Sequence, residues 1–206
     1  MENDIPAVNP PDQKSAGIQG IKKQLVAIGI LLIIAAVGLI LFFALREPAK
    51  EIINTPVNKI SMILTSPAFK NNSIIPAKFT CDGTNVNPPL KFFAVPDNTI
   101  TLVLIVDDPD APSGNWTHWL AWNIDPTTQT IEEGVAPPGA IQGRNDFSAN
   151  SYGGPCPPTG THHYQFKLYA LDIVLNLPPH SGKEDLTNAM QGHVLAEAKL
   201  VGLYSK

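Results

Sequence analysis

The fold of this chain is decided by a short apolar run, Leu102-Val-Leu-Ile-Val106, and by the acidic turn that follows it, Asp107-Asp-Pro-Asp-Ala-Pro-Ser-Gly114. Five apolar residues in a row, without polar alternation, are typical of a strand that is buried on both faces. Pro109 and Pro112 remove backbone donors and fix the local shape, so the strand ends in a rigid turn. The pattern therefore predicts a group of carboxylates at the end of a central strand.

The C-terminal part of the chain consists of short apolar runs separated by loops rich in Pro, Gly and Asn, which is typical of β-structure. Strands are predicted at Ile60–Leu64, Lys78–Thr80, Leu90–Ala94, Leu102–Val106, Trp119–Ile124 and Tyr164–Leu171, with Ala196–Tyr204 as a closing strand. One helix is predicted after the capping box Ser181–Glu184, and Gly192 can end it in a left-handed cap. The fold class is therefore mainly β with one or two peripheral helices.

The first 58 residues have a different character. Leu25–Leu45 is a run of 21 residues without a charge, and as a helix it would extend about 31 Å, which matches the hydrocarbon core of a bilayer. The apolar region of a signal peptide is normally shorter, about 7–15 residues, so we expect an uncleaved transmembrane helix. Residues 1–24 are predicted to be a disordered tail, residues 46–58 a juxtamembrane linker, and residues 59–206 the folded domain.

Charge and composition exclude several functions. The 206 residues include 14 basic and 18 acidic side chains, giving a net charge of −4, whereas a nucleic-acid partner requires a basic face. Neither cysteine has a spacing typical of a zinc site. The acidic turn fails the EF-hand template, because Ser113 and Trp119 stand where Gly and Glu are required. We therefore expect no nucleic-acid partner, no metal and no cofactor.

Two separate segments carry histidines that are candidates for binding. His118 lies among three tryptophans, and strand alternation places His162 and Tyr164 on one face with His163 on the other. A histidine beside a tyrosine could donate two hydrogen bonds to an anion. Each residue also fits a plain packing role, and the acidic turn fits a set of solvated carboxylates. The loop Tyr152–Gly160 has the Gly and Pro content of a structured loop that exposes N–H groups to an anion.

Five motifs follow one another between Ile60 and Tyr204: DDPDAP, THWLAWNI, GRNDF, YGGPCPPTG and THHYQFKLYALD. Taken together and in this order, they resemble the phosphatidylethanolamine-binding protein family, and in particular its prokaryotic branch, which is similar to Raf kinase inhibitor proteins. The resemblance implies a fold with a central antiparallel sheet, Greek-key connections and a small pocket at one end. The pocket of that family accepts phosphate-type anions, including the phosphoethanolamine headgroup.

The resemblance also implies which residues form the pocket. Matched position by position, the ligand-binding residues are Asp108, Asp110, Ala111, Pro112, His118, Cys156, His162 and Tyr164. His163 stands where the family motif usually has Arg, and its outward direction makes that change tolerable. The sequence has no clear match for the C-terminal helix that closes over the pocket in mammalian relatives.

The resulting expectation is a non-catalytic domain that binds an anion or a phospholipid headgroup. It would be anchored in the membrane by Leu25–Leu45, and the adjacent pair Lys22-Lys23 favours an extracytoplasmic location for the domain. A carboxylate such as Asp108 can charge a neighbouring imidazole, so we expect anion affinity to fall as the pH rises.

Two alternatives stay open. Family members also act as inhibitors of kinases or serine proteases, and a loop such as Ala136–Gly143 could serve the second role in an external protein-binding module. A hydrolase could use Cys156 as nucleophile, His118 or His162 as base and Asp108 as orienting group. Outside the cytoplasm, however, two cysteines favour a disulfide between Cys81 and Cys156, and a bonded sulfur cannot attack a substrate.

Overall fold

The computed structural model describes residue 29, residues 36–39 and residues 61–206. The chain divides into two units, Met1–Val57 and Asn58–Lys206. The predicted tail, the predicted transmembrane helix at Leu25–Leu45 and the predicted linker lie outside the described residues, apart from residues 29 and 36–39. Among the residues that are described, no helix has both the length and the hydrophobicity needed to cross a bilayer.

The C-terminal unit is built from two β-sheets. Within residues 61–206, the elements are β1 (Ile63–Thr65), β2 (Ser73–Ile74), a 3₁₀ turn (Ala77–Phe79), β3 (Leu90–Phe93), β4 (Thr101–Asp108), β5 (Trp116–Ile124), β6 (Thr130–Ile131), β7 (Ile141–Gln142), β8 (Thr161–Leu171), α1 (Lys183–Met190) and β9 (Val194–Ser205). Six strands form one sheet in the order β2-β9-β8-β4-β5-β7, and three form a second in the order β1-β3-β6. The mainly β class is therefore confirmed.

The central strand β4 is buried along its whole length, as its uniform apolar character predicts. Leu102, Leu104 and Val106 point into the core between the two sheets. Val103 and Ile105 point to the other face, where they pack in a second core beneath α1. Each of these side chains contributes about 1.5–3 kcal/mol by leaving water, so β4 is held in place from both sides. That fixes the position of the acidic turn at its end.

Two predictions about the strands are wrong. Lys78–Thr80 is not a strand, because the chain forms a 3₁₀ turn at Ala77–Phe79. The N–H and the hydroxyl of Thr80 both donate to the Ala77 carbonyl, at 3.0 and 2.9 Å, and this local bonding replaces pairing with a neighbouring strand. The larger sheet is also not wholly antiparallel, because the edge strand β2 runs parallel to β9.

The predicted helix exists, but it begins one position later than the predicted capping box. Its N-cap is Gly182, whose N–H donates to the Asp185 carboxylate at 3.1 Å. Ser181 belongs to the preceding turn, since its N–H donates to the Pro178 carbonyl. At the other end Gly192 adopts a left-handed conformation, with φ of +80°, as the sequence predicts.

Truncation of the central strand should test this arrangement. Leu104 is fully buried between the sheets, so Leu104→Ala should lower the free energy of unfolding by about 2–5 kcal/mol. Val174 is 64% exposed, and Val174→Ala is the control, with an expected change within about 0.5 kcal/mol. Urea unfolding followed by tryptophan fluorescence measures both. Equal losses in the two variants would contradict the central position of β4.

Candidate functional site

A β-bulge aims His118 at the end of the larger sheet. Val106 pairs with Trp119, but the next residue of β4, Asp107, pairs with Thr117, so His118 is the extra residue of β5. Regular alternation would place His118 and Trp119 on opposite faces. In the bulge both lie on the side of the core between the sheets, where the His118 ring meets the Tyr164 ring edge-on at 5.1 Å. Bulges next to functional sites commonly re-aim a side chain in this way.

A cavity of about 200 Å³ lies at the edge of the larger sheet where β4 finishes and β5 and β8 start. It is lined by Asp108, Ala111, Pro112, Ser113, Trp116, His118, Phe147, Cys156, Pro157, Pro158, His162 and Tyr164. The structure thus brings together every predicted ligand-binding residue except Asp110. Sequence reasoning missed five lining residues, Ser113, Trp116, Phe147, Pro157 and Pro158. All five lie within or beside the motifs quoted above. Their place in or next to those motifs was the only feature of the sequence that could have identified them.

Asp110 does not line the cavity, which corrects its predicted place in the site. Its carboxylate accepts hydrogen bonds from the backbone N–H of His163 at 2.8 Å and from its Nδ1 at 2.7 Å. These two hydrogen bonds from His163 lower the pKa of the Asp110 carboxyl below its ordinary value, and the side-chain bond has the larger effect. His163 itself points outward and is exposed, as strand alternation predicts.

The other two carboxylates of the acidic turn separate to opposite faces of the sheet. Asp107 is fully buried on the face beneath α1, where it is ion-paired with Lys167 at 2.9 Å and with Lys183. Asp108 points into the cavity, and its carboxylate lies 2.7 Å from Nδ1 of His162. Asp107 and Asp108 therefore interact with different groups, two lysines on one face of the sheet and a histidine on the other. Among the described residues, no three side chains of His, Cys, Asp or Glu are placed to hold a metal ion.

Both cavity histidines use the same ring nitrogen to bond to the protein. Nδ1 of His162 faces the Asp108 carboxylate, and Nδ1 of His118 lies 2.7 Å from the Gly153 carbonyl. Both partners are acceptors, so each Nδ1 carries the proton and donates it. Burial lowers the pKa of His118 below its ordinary value, opposed by the Gly153 carbonyl and by the charge of Asp108. The Nε2 atom of each ring therefore carries a proton only when the imidazole is charged.

Tyr164 lines the cavity and carries a buried hydroxyl. Its ring lies 5.1 Å from the His118 ring and 6.4 Å from the His162 ring, between centroids. Within the described residues, its oxygen has no hydrogen-bond partner of ordinary geometry. Burial, with the nearby charge of Asp108, raises the pKa of Tyr164, and the amide of Cys156 acts in the opposite direction. The hydroxyl is therefore a proton donor at every physiological pH.

The loop that carries Cys156 is fastened to the segment after the 3₁₀ turn. Cys156 and Cys81 form a disulfide, the pairing that the sequence predicts. Beside it, the N–H of Cys81 donates to the Pro155 carbonyl at 3.1 Å, and the N–H of Gly154 donates to Oδ1 of Asn85 at 2.8 Å. The bonded sulfur of Cys156 cannot form a thiolate, so the hydrolase alternative with this nucleophile is wrong for the described structure.

Comparisons with known proteins identify the family of this chain. A family model described as phosphatidylethanolamine-binding protein matches residues 65–205. The chain belongs to the phosphatidylethanolamine-binding protein family. Among relatives in this family, a UPF0098 protein of Pyrococcus horikoshii is 52% identical over 157 residues, covering 72% of this chain and 78% of its own. A UPF0098 protein of Methanothermobacter thermautotrophicus is 51% identical over 150 residues, covering 70% of this chain and 99% of its own.

Two solved structures of family members have the same fold as this chain. A phosphatidylethanolamine-binding protein homologue from Chlamydia trachomatis superimposes with a TM-score of 0.69 at 43% identity, covering 71% of this chain and 98% of its own. YbcL of E. coli, described as a member of the mammalian family, superimposes with a TM-score of 0.67 at 31% identity, covering 71% of this chain and 99% of its own. The similarity thus extends across almost the whole of both relatives.

The two buried tyrosines near the site should respond differently to loss of their hydroxyls. Among the described residues the Tyr164 hydroxyl has no hydrogen-bond partner of ordinary geometry, so Tyr164→Phe should change the free energy of unfolding by no more than about 0.5 kcal/mol or raise it. Tyr152 donates to the Phe79 carbonyl at 2.9 Å, and Tyr152→Phe should cost about 1 kcal/mol. Urea unfolding of both variants provides the comparison. A loss in Tyr164→Phe as large as that in Tyr152→Phe would show that the Tyr164 hydroxyl is bonded within the fold.

The disulfide closes a long loop, since 75 positions separate Cys81 from Cys156. Chain-entropy arguments assign about 4 kcal/mol of stability to a cross-link of this span. The double variant Cys81→Ala, Cys156→Ala should therefore unfold at a lower temperature and lower urea concentration than the parent chain. Dithiothreitol should destabilise the parent and leave the double variant unchanged. Equal sensitivity of both chains to the reductant would contradict the cross-link.

Proposed function

We propose that the domain is a non-catalytic binding module for a small phosphate-type anion, a class that includes the phosphoethanolamine headgroup. The observation that carries this proposal is the convergence of His118, His162 and Tyr164 on one cavity of about 200 Å³. Two imidazoles and a phenol provide three donors on one small hollow, and the cavity lies at the position that family resemblance assigns to an anion pocket. Membership of the phosphatidylethanolamine-binding protein family supports the ligand class.

Proton uptake would accompany anion binding. Each cavity histidine already donates from Nδ1, so its Nε2 can donate to an anion only when the ring is protonated. A bound anion would stabilise the charged form of each ring. Since burial lowers the pKa of free His118, affinity should go on increasing as the pH falls below the ordinary histidine range. The Tyr164 hydroxyl would contribute equally at all these pH values.

The Cys156 sulfur is a poor candidate for a nucleophile in this cavity, because it is bonded to Cys81. Both imidazoles of the cavity are oriented by protein acceptors, the Asp108 carboxylate for His162 and the Gly153 carbonyl for His118. Such an arrangement fixes donors around a ligand, which is what a binding module requires. We propose that the domain captures its ligand and releases it unchanged.

We also propose that this module is tethered to a membrane with the domain on the extracytoplasmic side. The charge-free run Leu25–Leu45 supports the tether. The disulfide supports an oxidising compartment, where such bonds persist. The inhibitor alternative stays a prediction, and two features weaken its suggested loop, Ala136–Gly143. Residues 141 and 142 form β7 and pair with β5, while Pro137 and Gly143 are buried, whereas a protease needs an accessible segment.

The proposal is tested by calorimetric titration of the 206-residue chain with inorganic phosphate and with phosphoethanolamine at pH 5.5 and pH 8. Affinity should be at least tenfold higher at pH 5.5, with net proton uptake detected from buffers of different ionisation enthalpy. His162→Gln should weaken binding at pH 5.5 about tenfold or more, because it removes a charge-assisted hydrogen bond.

The matched control is His193→Gln. Nδ1 of His193 also lies beside a carboxylate, that of Asp172 at 2.8 Å, but this pair is exposed and does not line the cavity. Its binding should match that of the parent chain within about twofold. Equal affinity at the two pH values, or equal losses in the two histidine variants, would refute anion capture by the cavity imidazoles.

A further inference from the structure

Phe147 is a large apolar side chain that the fold holds in an exposed position at the rim of the cavity. Phe147 is 46% exposed to solvent. The ring meets Trp116 edge-on at 5.5 Å and 73°, and meets His118 at 5.3 Å and 71°. One part of the ring thus supports a cavity histidine, and the other part faces solvent. A scattered exposed phenylalanine needs no explanation, but this one lies beside the only buried donors of the proposed anion site.

The turn that carries Phe147 is rigid. Asn145 is buried, and its Oδ1 accepts the N–H groups of Phe147 at 3.0 Å and of Ala149 at 2.9 Å. Its Nδ2 donates to the carbonyls of His118 at 3.1 Å and of Ser151 at 2.8 Å. Four hydrogen bonds from one buried amide therefore fix the turn against the strand that carries His118.

The same turn holds an unfavourable backbone conformation. Ser148 adopts φ of +62°, a region that non-glycine residues enter only when the surrounding structure imposes it. A buried amide and a residue with a strained backbone conformation therefore hold an aromatic ring in a solvent-exposed position. Strain and exposure combined in this way are typical of a position shaped for a ligand.

A second cavity also has the Phe147 ring in its lining. It has a volume of about 310 Å³, and it shares Phe147 and Cys156 with the first cavity as lining residues. Its lining includes no lysine, arginine, histidine or carboxylate. The first cavity is below the range of about 300–1,000 Å³ usual for whole ligands, so it has room for a headgroup only. Because Phe147 lines both cavities, a group attached to the headgroup could lie against its ring on the side of this uncharged space.

We propose that Phe147 determines specificity at this site, and that the ligand is an organic phosphate ester whose uncharged apolar group packs on the Phe147 ring. This inference rests on the proposed function, because the phosphate must first be held by the cavity histidines. The ester group extends past the ring into the second cavity, which has no charged partner for an ionic substituent. Asn145 acts as a positioning residue for the ring.

Calorimetric titration of the 206-residue chain at pH 6, in one detergent throughout, tests this inference with three probes. Phenyl phosphate carries an apolar group, glycerol 3-phosphate carries a polar group, and inorganic phosphate carries none. An aromatic contact of this kind is worth about 2- to 12-fold in affinity. We therefore expect phenyl phosphate to bind several-fold more tightly than the other two probes, which should agree within about twofold.

Phe147→Ala should abolish the preference for phenyl phosphate over inorganic phosphate, measured as the ratio of the two affinities in the same variant. Phe147→Leu keeps apolar contact with His118 and Trp116, so it guards against indirect disturbance of the histidine. It should retain phosphate binding and lose at least half of the preference, expressed as a ratio of affinities. The control is Phe93→Ala, since Phe93 is 51% exposed on β3 and lines neither cavity.

The outcomes separate this inference from the proposed function. If inorganic phosphate binds but phenyl phosphate binds no more tightly, the role of Phe147 is overturned and the anion site stands. The same conclusion follows if the preference survives in Phe147→Ala, or if Phe93→Ala removes it equally. If Phe147→Leu loses inorganic phosphate as well, the ring supports His118 and does not select the ester group. If no probe binds to the parent chain, the proposed function fails and this inference fails with it.

Discussion

The burial of β4 on both faces is the constraint on which the candidate site depends. A strand covered on one side by a second sheet and on the other by α1 cannot slide or rotate without exposing apolar surface. The positions of its last two residues are therefore fixed, and the side chains of Asp107 and Asp108 lie on opposite faces of the sheet. The adjacent strands β5 and β8 then bring His118, His162 and Tyr164 to that position through their pairing with β4. Hydrophobic packing thus positions a polar site.

Within that frame, the electrostatic roles of the acidic turn are divided among its carboxylates. Asp107 is completely buried and forms ion pairs with Lys167 on β8 and with Lys183 at the start of α1, which ties the start of the helix to the end of the strand. Asp108 is also buried but holds an imidazole, so its charge acts on the cavity. Asp110 is exposed and bonds to His163 at the surface. A domain with a net excess of acidic residues can therefore have a cavity in which donors face the ligand.

The walls of the cavity are fixed by covalent and hydrogen-bonded connections to distant segments. The Cys81–Cys156 disulfide fastens one wall to the segment after the 3₁₀ turn. Gly154 allows a close approach there, because a Cβ at this position would lie 2.5 Å from the Phe79 carbonyl oxygen. On the other side, Asn145 fixes the turn that carries Phe147. A preformed site of this kind loses little conformational freedom on binding, which favours affinity for small ligands.

Features that depend on local pattern could be predicted from the amino-acid sequence. The uniform apolar run predicted a strand buried on both faces, alternation separated His162 from His163, and Gly192 marked the end of the helix. Five motifs in order also indicated the family and most of the cavity residues. Features that depend on partners far away in the chain became visible only in the folded domain. The bulge at His118 depends on its register with β4, and Asp110 is drawn out of the site by His163, 53 positions later. The parallel pairing of the edge strand β2 with β9 is likewise a long-range feature. Lys78–Thr80 is a different case, because local bonds in a turn replace its predicted strand. Local patterns fix which face a side chain prefers, but register and long-range hydrogen bonds fix what it meets there.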